Sequence, residues 1–156
     1  MKRTMAGMLL AAVVLSGSLP AVSASDLPKV AGSGFMVTDG TKEMLSISGS
    51  DAGLTGDKGR AQFKVKAPGQ EAVSVKIRLG CVDISNQVAV ASGRGSDGNS
   101  YLVAVRDNGN ADEGTAADEF TVLASSGALH DCAGGLPVHS SFRDGTVDGG
   151  NFEVTS

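Results

Sequence analysis

The sequence predicts an all-β protein, an antiparallel meander of about eight strands, barrel-like or sandwich, with one disulfide. Three observations predict it. Apolar and polar residues alternate in short runs, the period of a strand with one dry and one wet face. Turn residues punctuate those runs, among them Asp39-Gly40, Pro68-Gly69 and Asp97-Gly98. Beyond the first residues, no long run of apolar residues recurs at helical spacing.

The longest run is Glu71 to Ile84, read as the central strand, with Val73, Val75, Ile77, Leu79 and Cys81 on its dry face. Ahead of it, Val30 to Thr38 forms a first strand with Phe35 and Val37 on one face. Asp39-Gly40 suits a tight hairpin, because both residues tolerate positive φ. Met44 to Ser48 returns with Leu45 and Ile47 inward, and the glycine-rich stretch Gly49 to Gly59 reads as a surface loop. Ala61, Phe63 and Val65 alternate with Gln62, Lys64 and Lys66 in a third strand. Pro68-Gly69 then turns the chain, since proline presets one φ and glycine accepts the next.

After the central strand, Ser85-Asn86 reverses the chain into a fifth strand from Val88 to Gly93. Tyr101, Val103 and Val105 share one side of a sixth strand. A polar loop runs from Asp107 to Asp118, and Glu119 to Ala124 follows as a seventh strand with Phe120 and Val122 inward. Leu136 to Val138 reads as a short edge strand, where Pro137 is tolerated. Phe152 and Val154 alternate in a final strand. Consecutive hairpins favour a meander and barrel-like closure.

Residues 1–24 read as a secretory signal peptide. Lys2 and Arg3 form a cationic head, Met5 to Leu15 an apolar run too short to span a bilayer, and Val22 and Ala24 the small residues of a cleavage site. Ser18 stands where a lipoprotein would need cysteine, so the expected product carries no lipid and makes no membrane insertion after cleavage. Residues 25–156 then form a single secreted domain, long enough to bury roughly two-thirds of its unfolded surface. It keeps 11 of the 13 Lys and Arg against 17 Asp and Glu. Such an acidic balance argues against nucleic acid and anionic membranes as partners. With Tyr101 as its one tyrosine and no tryptophan, the chain also lacks stacking platforms for bases or sugars. Cys81 and Cys132 both fall in the exported part, where a disulfide persists. The sharper alternative, a reactive thiol or metal ligand, lacks CxxC spacing.

The most distinctive stretch is Arg106 to Phe120, RDNGNADEGTAADEF. Asp107, Asn108, Asn110, Asp112, Asp118 and Glu119 supply the oxygen ligands that calcium takes on a flexible loop. The EF-hand pattern fails at its sixth position, where Glu113 replaces the glycine of the sharp turn. The plain alternative is a solvated acidic loop. His130-Asp131 and His139 before Ser140-Ser141 can be assembled into a catalytic set only by geometry that spacing does not supply. There is no G-x-S-x-G elbow, H-E-x-x-H or phosphate-binding loop, so no enzyme activity is expected.

A glycine-rich opening ending in Phe35 is followed by Ala61-Gln62-Phe63 and a long strand into Cys81. Val103-x-Val105-x-Asp107-Asn108-Gly109, Asp118-x-Phe120 and a closing Gly150-Asn151 strand complete the order. This order resembles small secreted bacterial β-modules, abundant in actinobacteria and sometimes labelled post-COAP-type. The resemblance implies a secreted β-rich domain and no particular substrate. Asp107-Asn108-Gly109 and Asp118-x-Phe120 carry it best, as a conformational signature or as a ligand site.

The expected function is a non-catalytic extracellular domain, binding or structural, whose partner is an extracellular protein or envelope component. One alternative is a calcium-stabilised binding module using the Asp107–Glu119 loop. Another is a secreted inhibitor that offers the segment after Cys132, AGGLPVHSS, to an extracellular protease.

Overall fold

The computed structural model describes residues 27–52, 58–109, 116–127, 132 and 146–156. It is all-β. Eight antiparallel strands form one sheet in the order β7-β6-β5-β4-β3-β2-β1-β8. They are β1 (Lys29–Thr38), β2 (Thr41–Ser50), β3 (Lys58–Lys66), β4 (Val73–Ser85), β5 (Val88–Gly95), β6 (Ser100–Arg106), β7 (Glu119–Ser125) and β8 (Gly149–Thr155). Each strand from β1 to β6 pairs with its successor, and β8 returns beside β1. The sheet curls into a half-barrel, and the disulfide joins Cys81 to Cys132. The signal-peptide residues, the histidines, Leu136 to Val138 and the middle of the acidic loop lie outside the described residues.

The hairpins follow from their turn residues. Asp39 and Gly40 adopt φ of 51° and 76°, so Thr38 pairs with Thr41 across a two-residue loop. Gly69 adopts φ of 70°, and the Gln70 amide donates to the Ala67 carbonyl at 3.2 Å. Asn86 and Gly98 supply the positive φ of the next two reversals.

The core fills the inside of the curl. Leu45 and Ile47 on β2, Val75, Ile77 and Leu79 on β4, Val103 and Val105 on β6, Phe120 and Phe152 all bury there. Phe120 and Phe152 meet edge to face, with ring centroids 6.0 Å apart.

Two strand faces differ from expectation. On β1 the inward residues are Val30, Gly32, Gly34 and Met36, while Val37 is half-exposed and Phe35 lies on the outer side under the Lys42 ammonium. The reason is Phe152. A Cβ on Gly34 would strike the Phe152 ring, and one on Gly32 (φ 147°) would run into the Asn151 carbonyl. The Gly-Ser-Gly opening is therefore a docking slot for β8 and its aromatic ring.

The second difference lies in β4. Leu79 pairs with Gly93 and Cys81 with Ser92, so Gly80 is the extra residue of a β-bulge. One extra residue inverts the alternation. Val82 takes the core position that Cys81 was expected to hold. Cys81 turns to the outer face, beside a second cluster of Val90, Leu102, Ala104 and Cys132. Val73, at the start of the strand, is exposed. The bulge thus aims Cys81 at a partner lying over the outer face, and the α-carbons of the bonded pair are 5.9 Å apart.

Candidate functional site

Two carboxylates of the acidic loop, Asp107 and Asp118, do structural work at the seam of the curl. Strands β7 and β8 are the two edges of the sheet and share no ladder. The β8 amides of Asn151, Glu153 and Thr155 face β1, which leaves those of Phe152 and Val154 on the open side. Carboxylates meet both. Phe152 N–H donates to Asp118 Oδ2 at 2.7 Å, and Val154 N–H to Asp107 Oδ2 at 3.0 Å. Asp118 Oδ1 also accepts from the Asn108 amide at 3.0 Å, and Asp107 Oδ1 from the Gly109 amide at 2.8 Å. The Asn108 side-chain amide donates to the Ala117 carbonyl at 2.8 Å. Asp118 is buried, so charge-assisted bonds replace the water it has lost. Glu119 pairs with Arg106 at 2.8 Å.

Of the six residues read as calcium ligands, Asp107, Asn108, Asp118 and Glu119 are therefore engaged with protein partners. Asn110 and Asp112 lie outside the described residues. Among the described residues, no three His, Cys, Asp or Glu side chains gather in a metal-holding group.

A more open feature lies elsewhere and was missed from sequence. On the outer face of β2 to β5, Arg60 stands opposite Arg78, and Arg78 opposite Arg94, three arginines in direct cross-strand register. Gln62 and Lys76 form the neighbouring rung. All five side chains are exposed. They line a groove of about 760 Å³ together with Ser46, Ser48 and Ser96. A second groove of about 430 Å³ shares Ser46 and Gln62 with the first and continues past Lys64 and Met44 to Phe35. Lys42 stacks over the Phe35 ring at 3.7 Å from its centroid. Between the β3–β4 turn and the bulge, the outward positions of β2, β3 and β4 carry these cations and no carboxylate.

Among the described residues, the one ion pair is Arg106–Glu119, so no carboxylate neutralises the arginine ladder there. Arg94 is steadied by a bond from Nη1 to the Gly98 carbonyl at 2.8 Å. Like charges placed directly opposite destabilise a sheet by about 0.2–1 kcal/mol per pair. The ladder is a local cost that folding does not require. Arg78→Gln, flanked by arginines on both sides, is accordingly expected to unfold at the same urea midpoint as the parent or slightly above it. A loss of more than about 1 kcal/mol would show that Arg78 supports the fold.

The turn beside the groove is held by a titratable pair. Asp97 accepts from the Tyr101 hydroxyl at 2.7 Å and from the Asn99 backbone and side-chain amides. The tyrosine hydrogen bond is the main reason the Asp97 carboxyl sits below its ordinary 3.8. Burial, and then the Asp97 hydrogen bond and charge, push the Tyr101 phenol above its ordinary 10.0. A lowered acid stabilises the fold above its unfolded pKa, and that gain is lost as pH falls through the folded value. A raised phenol stabilises below its unfolded pKa, and that gain is lost as pH rises through the folded value. Melting curves of the parent and Tyr101→Phe should therefore differ by a constant Tm offset through the neutral range. The offset should shrink below about pH 4 and above about pH 10. An offset independent of pH would mean the pair does not couple.

The chain matches no protein-family model, no curated protein sequence and no solved structure.

Proposed function

We propose that the chain is a non-catalytic extracellular binding domain, and that its contact surface is the outer face of β2 to β5. One observation carries this reading: an exposed arginine ladder, unneutralised among the described residues, set in a groove on a chain whose overall charge is negative. The rest of the outer face differs. At β5 and β6 it is covered by the apolar cluster around the Cys81–Cys132 bond. A disulfide is consistent with an oxidising extracellular setting, and no helix among the described residues is long and apolar enough to cross a membrane. The resemblance to secreted bacterial β-modules agrees with this reading and names no ligand.

Retention on a cell-envelope fraction tests it. The parent is expected to sediment with envelope material. Arg60→Glu/Arg78→Glu should stay in the supernatant while keeping the parent's circular dichroism spectrum. Retention that survives the double reversal would refute the assignment of the surface.

A further inference from the structure

The groove's side chains also state what it would hold. We infer that it binds a flexible anionic glycan, a chain carrying sulfate or another oxyanion on a hydroxyl-rich backbone; this rests on the groove being the contact surface. Three features point there. The cations of the main groove are mostly arginine, whose planar fork takes oxyanions in pairs of hydrogen bonds, where an ammonium offers only a point charge. Between the cations stand Ser46, Ser48, Ser96 and Gln62, neutral donors and acceptors of the kind that meet sugar hydroxyls. Sheet geometry sets the pitch. Neighbouring arginine rungs lie about 4.8 Å apart across the strands, and the Lys76 rung about 7 Å away along them. Spacings of this size suit a chain with a charge on each sugar unit.

The competing polyanions fit less well. Single-stranded nucleic acid needs aromatic faces for its bases, and among the described residues the one ring at this surface, Phe35, is already covered by Lys42. Duplex DNA is read by an element that enters a groove, and none projects from this sheet face among the described residues. A membrane surface would call for exposed apolar side chains beside the cations; the apolar residues lining the main groove, Ile47, Ala61 and Ile77, are buried, and hydroxyls and an amide stand beside the cations instead.

Calorimetric titration with a size-defined heparin oligosaccharide tests the inference, with neutral dextran, an equally charged polyphosphate, single-stranded DNA and anionic vesicles as parallel arms. The sulfated oligosaccharide is expected to bind at least tenfold more tightly than any other arm, and more weakly as salt rises. Arg60→Gln/Arg78→Gln should abolish binding, and Arg60→Lys/Arg78→Lys should weaken it several-fold, because charge remains while the forked bonds are lost. Polyphosphate or DNA binding as tightly as the glycan would overturn the inference. So would undiminished binding by the glutamine variant, or no heparin binding at all. Envelope retention that depends on the two arginines, combined with no glycan binding, would sink the ligand class alone and leave the surface standing.

Discussion

Asp118→Ala is expected to cost about 3–4 kcal/mol of unfolding free energy. Its carboxylate is buried and accepts two backbone N–H groups, from Asn108 and Phe152. A hydrogen bond to a charged group contributes about 1.5–3 kcal/mol, and a donor stranded without a partner costs about 1–3. The Phe152 amide is such a donor. It lies on the open side of β8, with no strand beyond to receive it among the described residues. Asp118→Asn should lose roughly half as much, because the amide oxygen still serves one donor while its NH2 faces the other. Glu153→Ala, an exposed carboxylate on the same strand, should stay within about 0.5 kcal/mol of the parent. Urea denaturation of the three variants decides the matter. An Asp118→Ala loss no larger than that of Glu153→Ala would show that the seam is not held by carboxylates.

Removing the disulfide should cost as much by a different route. Cys81 and Cys132 are 51 residues apart, and releasing that loop restores about 4 kcal/mol of chain entropy to the unfolded state. Cys81→Ala/Cys132→Ala is therefore expected to shift the urea midpoint by a large fraction of a typical domain's 5–15 kcal/mol. The double variant should also loosen the cover over Val90, Leu102 and Ala104, where Cys132 is fully buried. Dithiothreitol-reduced parent protein should behave alike. A reduced protein within about 1 kcal/mol of the oxidised one would mean that the crosslink constrains little in the unfolded chain.

Most of the fold was legible in the residues. Strict alternation in Leu45–Ile47, Val75–Leu79 and Phe152–Val154, punctuated by Asp39-Gly40 and Pro68-Gly69, placed strands and hairpins where they stand. The failures have physical causes. Phe35 and Val37 looked like the dry face of β1 because they are apolar. The true inner face carries glycines at 32 and 34, which make room for a phenylalanine more than a hundred residues later. Cys81 looked buried because period two was carried through Gly80, and a bulge leaves no mark in that period. The roles of Asp107 and Asp118 were hidden for a related reason: their partners are backbone amides of a distant strand, which any sequence supplies.

The arginine ladder was closer to hand. The wet positions of β3 and β4, Arg60, Gln62 and Lys64 on one and Lys76 and Arg78 on the other, are basic at all but Gln62, and Pro68-Gly69 makes those strands neighbours. Counting charge over the whole chain averaged them against the loops. Counting it face by face would have found the patch.

The return of β8 has a consequence for the order of assembly. Every pairing from β1 to β7 joins neighbours in the chain, so those hairpins close over short loops. The pairing of Lys29 with Thr155 spans nearly the whole domain and bears the largest loop-closure entropy. During synthesis β8 also emerges after the other seven strands. Until it docks, β1 presents a bare edge and the slot at Gly32 and Gly34 stands empty, so the incomplete sheet is open to strand addition by another chain until the last pairing forms.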